Sequence, residues 1–142
     1  MRALIASLVR KRMQAGNTAV EFAFVLSVFL MLVFAVIQMG LAVYNYNSVC
    51  EAAREAVRYA VVHSPTSAHP ATTAQIQQVA INAATAVGLA ASNIAVNWPA
   101  DANLPSLKDA QVKITYNYTF RIPFMSQTTL NLTSTSQMLV SQ

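Results

Sequence analysis

Few side chains in this 142-residue sequence are able to do acid–base, nucleophilic or metal chemistry, and they are scattered. The acids are Glu21, Glu51, Glu55, Asp101 and Asp109; the histidines are His63 and His69; Cys50 is the one cysteine. Catalysis would call for a nucleophile with its base, two facing carboxylates or a set of metal ligands. The spacing supplies none of these. Glu51 and Glu55 are each followed three residues later by an arginine, Arg54 and Arg58, and on a helix such neighbours meet and neutralise one another. His63 and His69 stand in a Pro- and Ser-rich stretch with no acid beside them, which reads as solvated loop histidines and not as metal ligands. A single cysteine makes no intramolecular disulfide and no cysteine zinc cage, so Cys50 is either a packing thiol or one half of an intersubunit disulfide. The sequence reads as that of a non-enzyme without a cofactor.

One carboxylate has an unusual setting. Glu21 comes five residues after Gly16 and stands at the head of an apolar run. From Phe22 to Ile37 only Ser27 is polar, and Met39 to Val43 resumes the run after Gln38. A carboxylate at the edge of hydrocarbon is costly unless it is paired, or unless it gains from the positive end of its own helix. The first reading makes Glu21, beside Phe22, one half of an ion pair. The second makes it a charge that serves its own helix.

The element that must carry Glu21 is a membrane span. About 20 apolar residues cross a bilayer, and Ala19 to Val43 meets that length with no formal charge between Glu21 and Glu51. The run is too long for the core of a secretory signal peptide, and no A-x-A cleavage site follows it. Four of the nine basic residues, Arg2, Arg10, Lys11 and Arg12, precede the span, while the rest of the chain has five basic and five acidic residues. Basic residues ahead of a span hold that end in the cytoplasm, so the reading is N-in and C-out. The surplus of positive charge is thus a leader and not a nucleic-acid face. Hydrophobic residues make up 55% of the chain and charged residues 10%, against roughly 25% charged in soluble domains. That balance excludes a disordered chain, whose signature is the reverse.

Three parts follow: residues 1–16 as a basic leader, 17–62 as a long helix spanning the membrane at about 19–43, and 63–142 as a small extracytoplasmic α+β region. The helix is expected from about Thr18 to Val62, because Val49, Ala53, Ala56, Val57, Ala60 and Val61 keep an apolar stripe past the membrane and no Gly or Pro interrupts 44–62. Thr72–Ala90 reads as a second helix with Ile76, Val79, Ala80, Ala83 and Val87 on one face. Ile94, Val96 and Trp98 begin a strand. Val112, Ile114, Tyr116, Tyr118, Phe120 and Ile122 alternate with polar residues in a second, and Thr128–Val140 repeats the pattern through Leu130, Leu132, Met138 and Val140. A three-stranded antiparallel sheet is expected, covering the second helix and the outer half of the first. Tyr116, Tyr118 and Phe120 read as core and not as a base-stacking platform, since no basic patch surrounds them.

Three segments together resemble a known family. Gly16 at the end of a basic leader, with Glu21 five residues on, resembles the processing site of type IV pilins and pseudopilins. Ala19-Val20-Glu21-Phe22-Ala23, then Gln38-Met39-Gly40, then Ala52-Ala53-Arg54-Glu55-Ala56-Val57-Arg58-Tyr59-Ala60 resemble TadE-like proteins, pseudopilins of the Tad (Flp, tight-adherence) pilus machinery. Gln38 replaces a residue that is often acidic in that family, and Val57 replaces a frequent glycine. The resemblance implies a bacterial inner-membrane protein cleaved by a prepilin peptidase between Gly16 and Asn17. Glu21 would then be the fifth residue of the mature chain, pairing with the freed amine of a neighbouring pilin-like subunit. It implies a structural role in assembling a pilus used in adhesion, with Glu51, Arg54, Glu55 and Arg58 either self-paired or available to other Tad subunits. The partners would be the peptidase, other pilin-like subunits and the lipid bilayer, with no nucleic acid. The alternative is an unprocessed single-pass anchor for a periplasmic binding or sensor domain.

Overall fold

The computed structural model describes residues 2–100, 108–123 and 126–140, with side chains from Asn17 onward. Its order is α1 (Arg2–Val62), α2 (Thr73–Ala83), a single 3-10 turn at Ala91–Asn93, β1 (Ile94–Asn97), β2 (Asp109–Phe120) and β3 (Thr128–Leu139). This is the expected α+β fold: a long apolar helix, a second helix and a three-stranded antiparallel sheet.

Helix α1 is continuous over 61 residues, about 90 Å at 1.5 Å per residue. It begins well before the expected Thr18, because Ala3 to Ala15 contains good helix formers and no breaker. Its end at Val62 agrees with the sequence, and Pro65 follows three residues later.

Helix α2 is shorter than expected. It opens with a capping box, the Thr72 side chain accepting from the Gln75 amide while the Gln75 side chain accepts from the Thr72 amide. It ends at Ala83, where Ala84 leaves helical geometry, and turns carry the chain to Gly88 at φ 67°. Only Gly reaches that backbone region without strain. Ile76 and Ala80 are buried as the periodicity required, but Ala83 is exposed, and Ala84 and Val87 reach the core from the turns. Two side-chain amides fix the return to the sheet: Gln77 donates to the carbonyl of Ile94 at 2.9 Å, and Asn93 to that of Thr115 at 2.8 Å.

The sheet order is β1-β2-β3. Strands β2 and β3 pair from Asp109 with Leu139 to Phe120 with Thr128, without a bulge. Along β2 the even-numbered residues Ala110, Val112, Ile114 and Tyr118 are buried. The strand stops two residues short of Ile122, where Pro123 can give no ladder bond. On β3 the alternation is only partly translated into burial: Leu132 and Val140 are buried, whereas Leu130 and Met138 are exposed. Between them Ser134 and Ser136 face the same way, opposite Ile114 and Val112. Small hydroxyl side chains there allow the helix to lie close.

The main core joins all the elements. Val49, Ala52, Ala53, Ala56, Val57 and Ala60 of α1 are buried with Ile76 and Ala80 of α2, Ile94 of β1, Ala110, Val112 and Ile114 of β2, and Val140. Four of those six α1 residues are alanines, which place the helix backbone near the sheet. A second, smaller cluster lies nearer the apolar run, with Ala42 against Tyr118 and Leu132. Asp109 is buried in the sheet and accepts a hydrogen bond from the Gln137 amide. His63 is half-buried and stacked on Tyr59, ring centroids 4.3 Å apart, and is not the solvated loop histidine expected; His69 is exposed. Asp101 lies outside the described residues.

Candidate processing and assembly site

Gly16 and Asn17 lie within α1, so the backbone that a peptidase would cut is helical in the uncleaved chain. The sequence nevertheless weakens the helix there. Gly16, Asn17 and Thr18 are three successive poor helix formers, costing together about 2 kcal/mol relative to alanine. This is where the helix opens most cheaply into the extended form that a protease holds.

Past that point the helix is bare. Phe22 is 65% exposed and Phe24 72%, and the exposed apolar surface continues through Ile37. None of the most apolar 18-residue window is buried by the rest of the chain. The one hydroxyl in the run is satisfied by its own helix, Ser27 donating to the carbonyl of Ala23 at 2.8 Å. Glu21 is exposed, and among the described residues no ion pair or hydrogen bond reaches its carboxylate. A carboxylate at the head of such a surface has no partner among the described residues.

The outer charges behave differently. Arg54 is 3.4 Å from Glu51 and Arg58 is 3.8 Å from Glu55, each pair within one turn of α1 and well exposed. Exposed pairs of this kind contribute only about 0.3–0.5 kcal/mol each. They occupy the side of α1 opposite its buried alanines and stay free to re-pair with another surface. One turn before them, the Tyr46 hydroxyl is hydrogen-bonded to Cys50, and that contact holds the phenol above its ordinary range. Cys50 is a free, half-buried thiol.

Sequence reasoning missed Gln38. Its Oε1 accepts from the Tyr118 hydroxyl at 2.6 Å, and its Nε2 donates to the carbonyl of Arg121 at 3.2 Å. One side chain inside the apolar run thus ties the end of β2 to α1. The signal available was a lone amide among apolar residues, which needs a partner when it leaves water. Gln38→Leu is expected to take away the partner of the Arg121 carbonyl, to leave the Tyr118 hydroxyl only the Gln38 backbone carbonyl at 3.4 Å, and to destabilise the fold by about 1–3 kcal/mol. Thermal unfolding in detergent checks this, and Tyr118→Phe combined with Gln38→Leu should recover part of the loss.

Among the described residues no three His, Cys, Asp or Glu side chains gather where they could hold a metal ion. Comparison with curated proteins and with solved structures finds no match. The family model of TadE-like proteins matches residues 16–58, from the predicted cleavage glycine to the last arginine of the outer charge pairs. Over that stretch the chain is similar to TadE-like proteins. The matched stretch contains every predicted processing and assembly residue, and it lies wholly within α1. That similarity is consistent with a part in assembling a Tad pilus. Among the described residues one N-terminal helix is long and apolar enough to be consistent with a membrane anchor.

Proposed function

We propose that this protein is a minor pilin of a Tad pilus, cut by a prepilin peptidase between Gly16 and Asn17 and held in the inner membrane by α1. The observation that carries the reading is Glu21: an exposed carboxylate with no partner among the described residues, five residues past Gly16, at the head of an apolar helix that no other described element covers. Cleavage would create an amine at Asn17, and a neighbouring subunit's amine is the partner that such a carboxylate lacks. The bare helix packs against other pilin-like helices, in the bilayer and then in the fibre or at its base. The α+β region outside the membrane carries the contacts that distinguish this subunit from others.

The continuity of α1 through Gly16 favours a second reading, an unprocessed anchor whose basic leader stays in place. The two differ in one variant. Gly16→Ala replaces the weakest helix former at the cut with the strongest, favouring closed helix by about 1 kcal/mol, and puts a methyl group where the peptidase would need none. The uncleaved form is expected to accumulate in cells that hold the peptidase, with membrane insertion unchanged. In a pilated strain lacking its own copy, that variant should fail to restore pili where the wild type does. Wild-type mobility on a gel together with full restoration of pili would remove the peptidase from the account.

A further inference from the structure

The sheet region meets α1 lower than a domain standing clear of a membrane would. Tyr118 and Arg121 are both bonded to Gln38, and the depth of Gln38 follows from the sequence. A span of about 20 residues that begins after the Glu21 carboxylate ends near Leu41, which puts Gln38 about 4–5 Å inside the hydrocarbon edge. Begun as early as Asn17, the same span ends near Val36 and leaves Gln38 only about 3 Å outside, within the headgroup layer. With the span drawn at 19–43, Gln38 is about 7–8 Å inside, so on each count the end of β2 reaches the bilayer surface.

Strand direction puts the β2–β3 end of the sheet at that level. Strand β2 starts in the main core, with Ala110, Val112 and Ile114 among the α1 residues from Val49 to Ala60, and finishes at Tyr118 against Ala42. The residues next in line are Phe120, Arg121, Ile122 and Pro123, with Leu130 returning on β3. Leu130 pairs with Tyr118, so it is on the face turned toward α1, yet it is 45% exposed because the helix does not cover it. Phe120 and Ile122 are partly exposed, and Arg121 is exposed. An arginine among apolar residues can lay its stem along them and raise its guanidinium to the headgroups. No Asp or Glu occurs after Asp109, so nothing on this end repels an anionic lipid surface.

We propose that the β2–β3 end of the sheet is a second membrane contact, with Leu130, Ile122 and Phe120 in the outer interface beside α1 and Arg121 at the lipid headgroups. The proposal rests on reading α1 as a membrane span. It gives the extracytoplasmic region a fixed orientation on the bilayer: the sheet is fastened at its lower end by Gln38 and by lipid, and the main core stands above it. Withdrawal from the bilayer would strip lipid from Leu130 and Ile122, leaving that surface free for another subunit.

The test uses the full chain with Cys50→Ser, reconstituted in vesicles of equal parts phosphatidylcholine and phosphatidylglycerol. Single cysteines replacing Leu130, Ile122, Phe29 or Thr135 carry a nitroxide label, and collision with oxygen is compared with collision with a water-soluble nickel complex. Oxygen is expected to dominate at Leu130 and Ile122 severalfold over Thr135, approaching the value at Phe29 in the middle of the span. Nickel-dominated collision at Leu130 and Ile122, with Phe29 still in lipid, would overturn the second contact and leave the span intact. A label at Leu130 shielded from both reagents would overturn it in favour of cover by another copy of the chain. Nickel access at Phe29 itself would overturn the membrane span and this inference with it.

Discussion

Glu21→Ala is expected to be inserted and cleaved as the wild type is, yet to lose its association with other pilin-like subunits. In the wild type the carboxylate has no partner among the described residues, and on the proposed reading the apolar surface around it closes when helices of neighbouring subunits pack together. Once they do, a neighbour's cationic amine is left in a low-dielectric bundle if the carboxylate has been removed. Breaking such a pair by deleting one member costs about 3–5 kcal/mol when the pair is buried, a factor of several hundred or more in an association constant. A carboxylate that merely favours its own helix N-terminus is worth about 0.3–1 kcal/mol, and its removal leaves association almost unchanged. Co-purification of mature protein from detergent-solubilised membranes separates the two. Glu21→Gln serves as the control for size, because it keeps the shape and removes the charge. Recovery of either variant with the other subunits at wild-type levels would assign Glu21 to its own helix.

The second large effect concerns the outer half of α1. A chain beginning at Pro65 is expected to show no cooperative unfolding, whereas one beginning at Tyr46 should melt as a unit. The helix gives Val49, Ala52, Ala53, Ala56, Val57 and Ala60 to the main core, all fully buried. Two valines and four alanines taken from water are worth roughly 6–9 kcal/mol, and their absence also uncovers Ile76, Val112 and Ile114 on the other side. A small domain has only about 5–15 kcal/mol in hand, and the residues beyond Val62 lie at the lower limit of size for an independent core. Circular dichroism during heating checks the prediction. Equal, sharp transitions in the two chains would mean that α1 only decorates a core that is complete without it.

Most of the architecture could be read from periodicity. The alternation from Val112 to Phe120 became β2 with its even-numbered residues inward, and the stripe from Val49 to Ala60 became the buried face of α1. What failed did so for local reasons. Helix α2 is shorter than its spacing suggests: Ala83 and Val87 continue the periodicity, yet Ala83 is exposed, and Val87 enters the core from turns that lead to the positive φ of Gly88. Leu130 and Met138 continue the alternation of β3 but fall beyond the part of the face that α1 covers. His63 looked like a loop histidine because Ser64 and Pro65 follow it, while its ring folds back one turn onto Tyr59.

The candidate site was legible to a different degree. Gly16, Asn17, Glu21 and Phe22 are proposed as the site because the order of leader, glycine, acid and span resembles the processing site of pilins. The pairs Glu51–Arg54 and Glu55–Arg58 follow from helical spacing and are present as ion pairs. Gln38 could not be placed from the sequence, because its partners Tyr118 and Arg121 are some 80 residues away and meet it only when β2 lies along α1.

The measurement that bears most directly on the account is the N-terminal sequence of the mature protein, isolated from membranes of cells that make Tad pili. The account predicts a chain that starts at Asn17, with Glu21 as its fifth residue. A chain that keeps its leader from Met1 would contradict the account in favour of an unprocessed anchor. One that starts beyond the apolar run would contradict it in favour of a secreted domain.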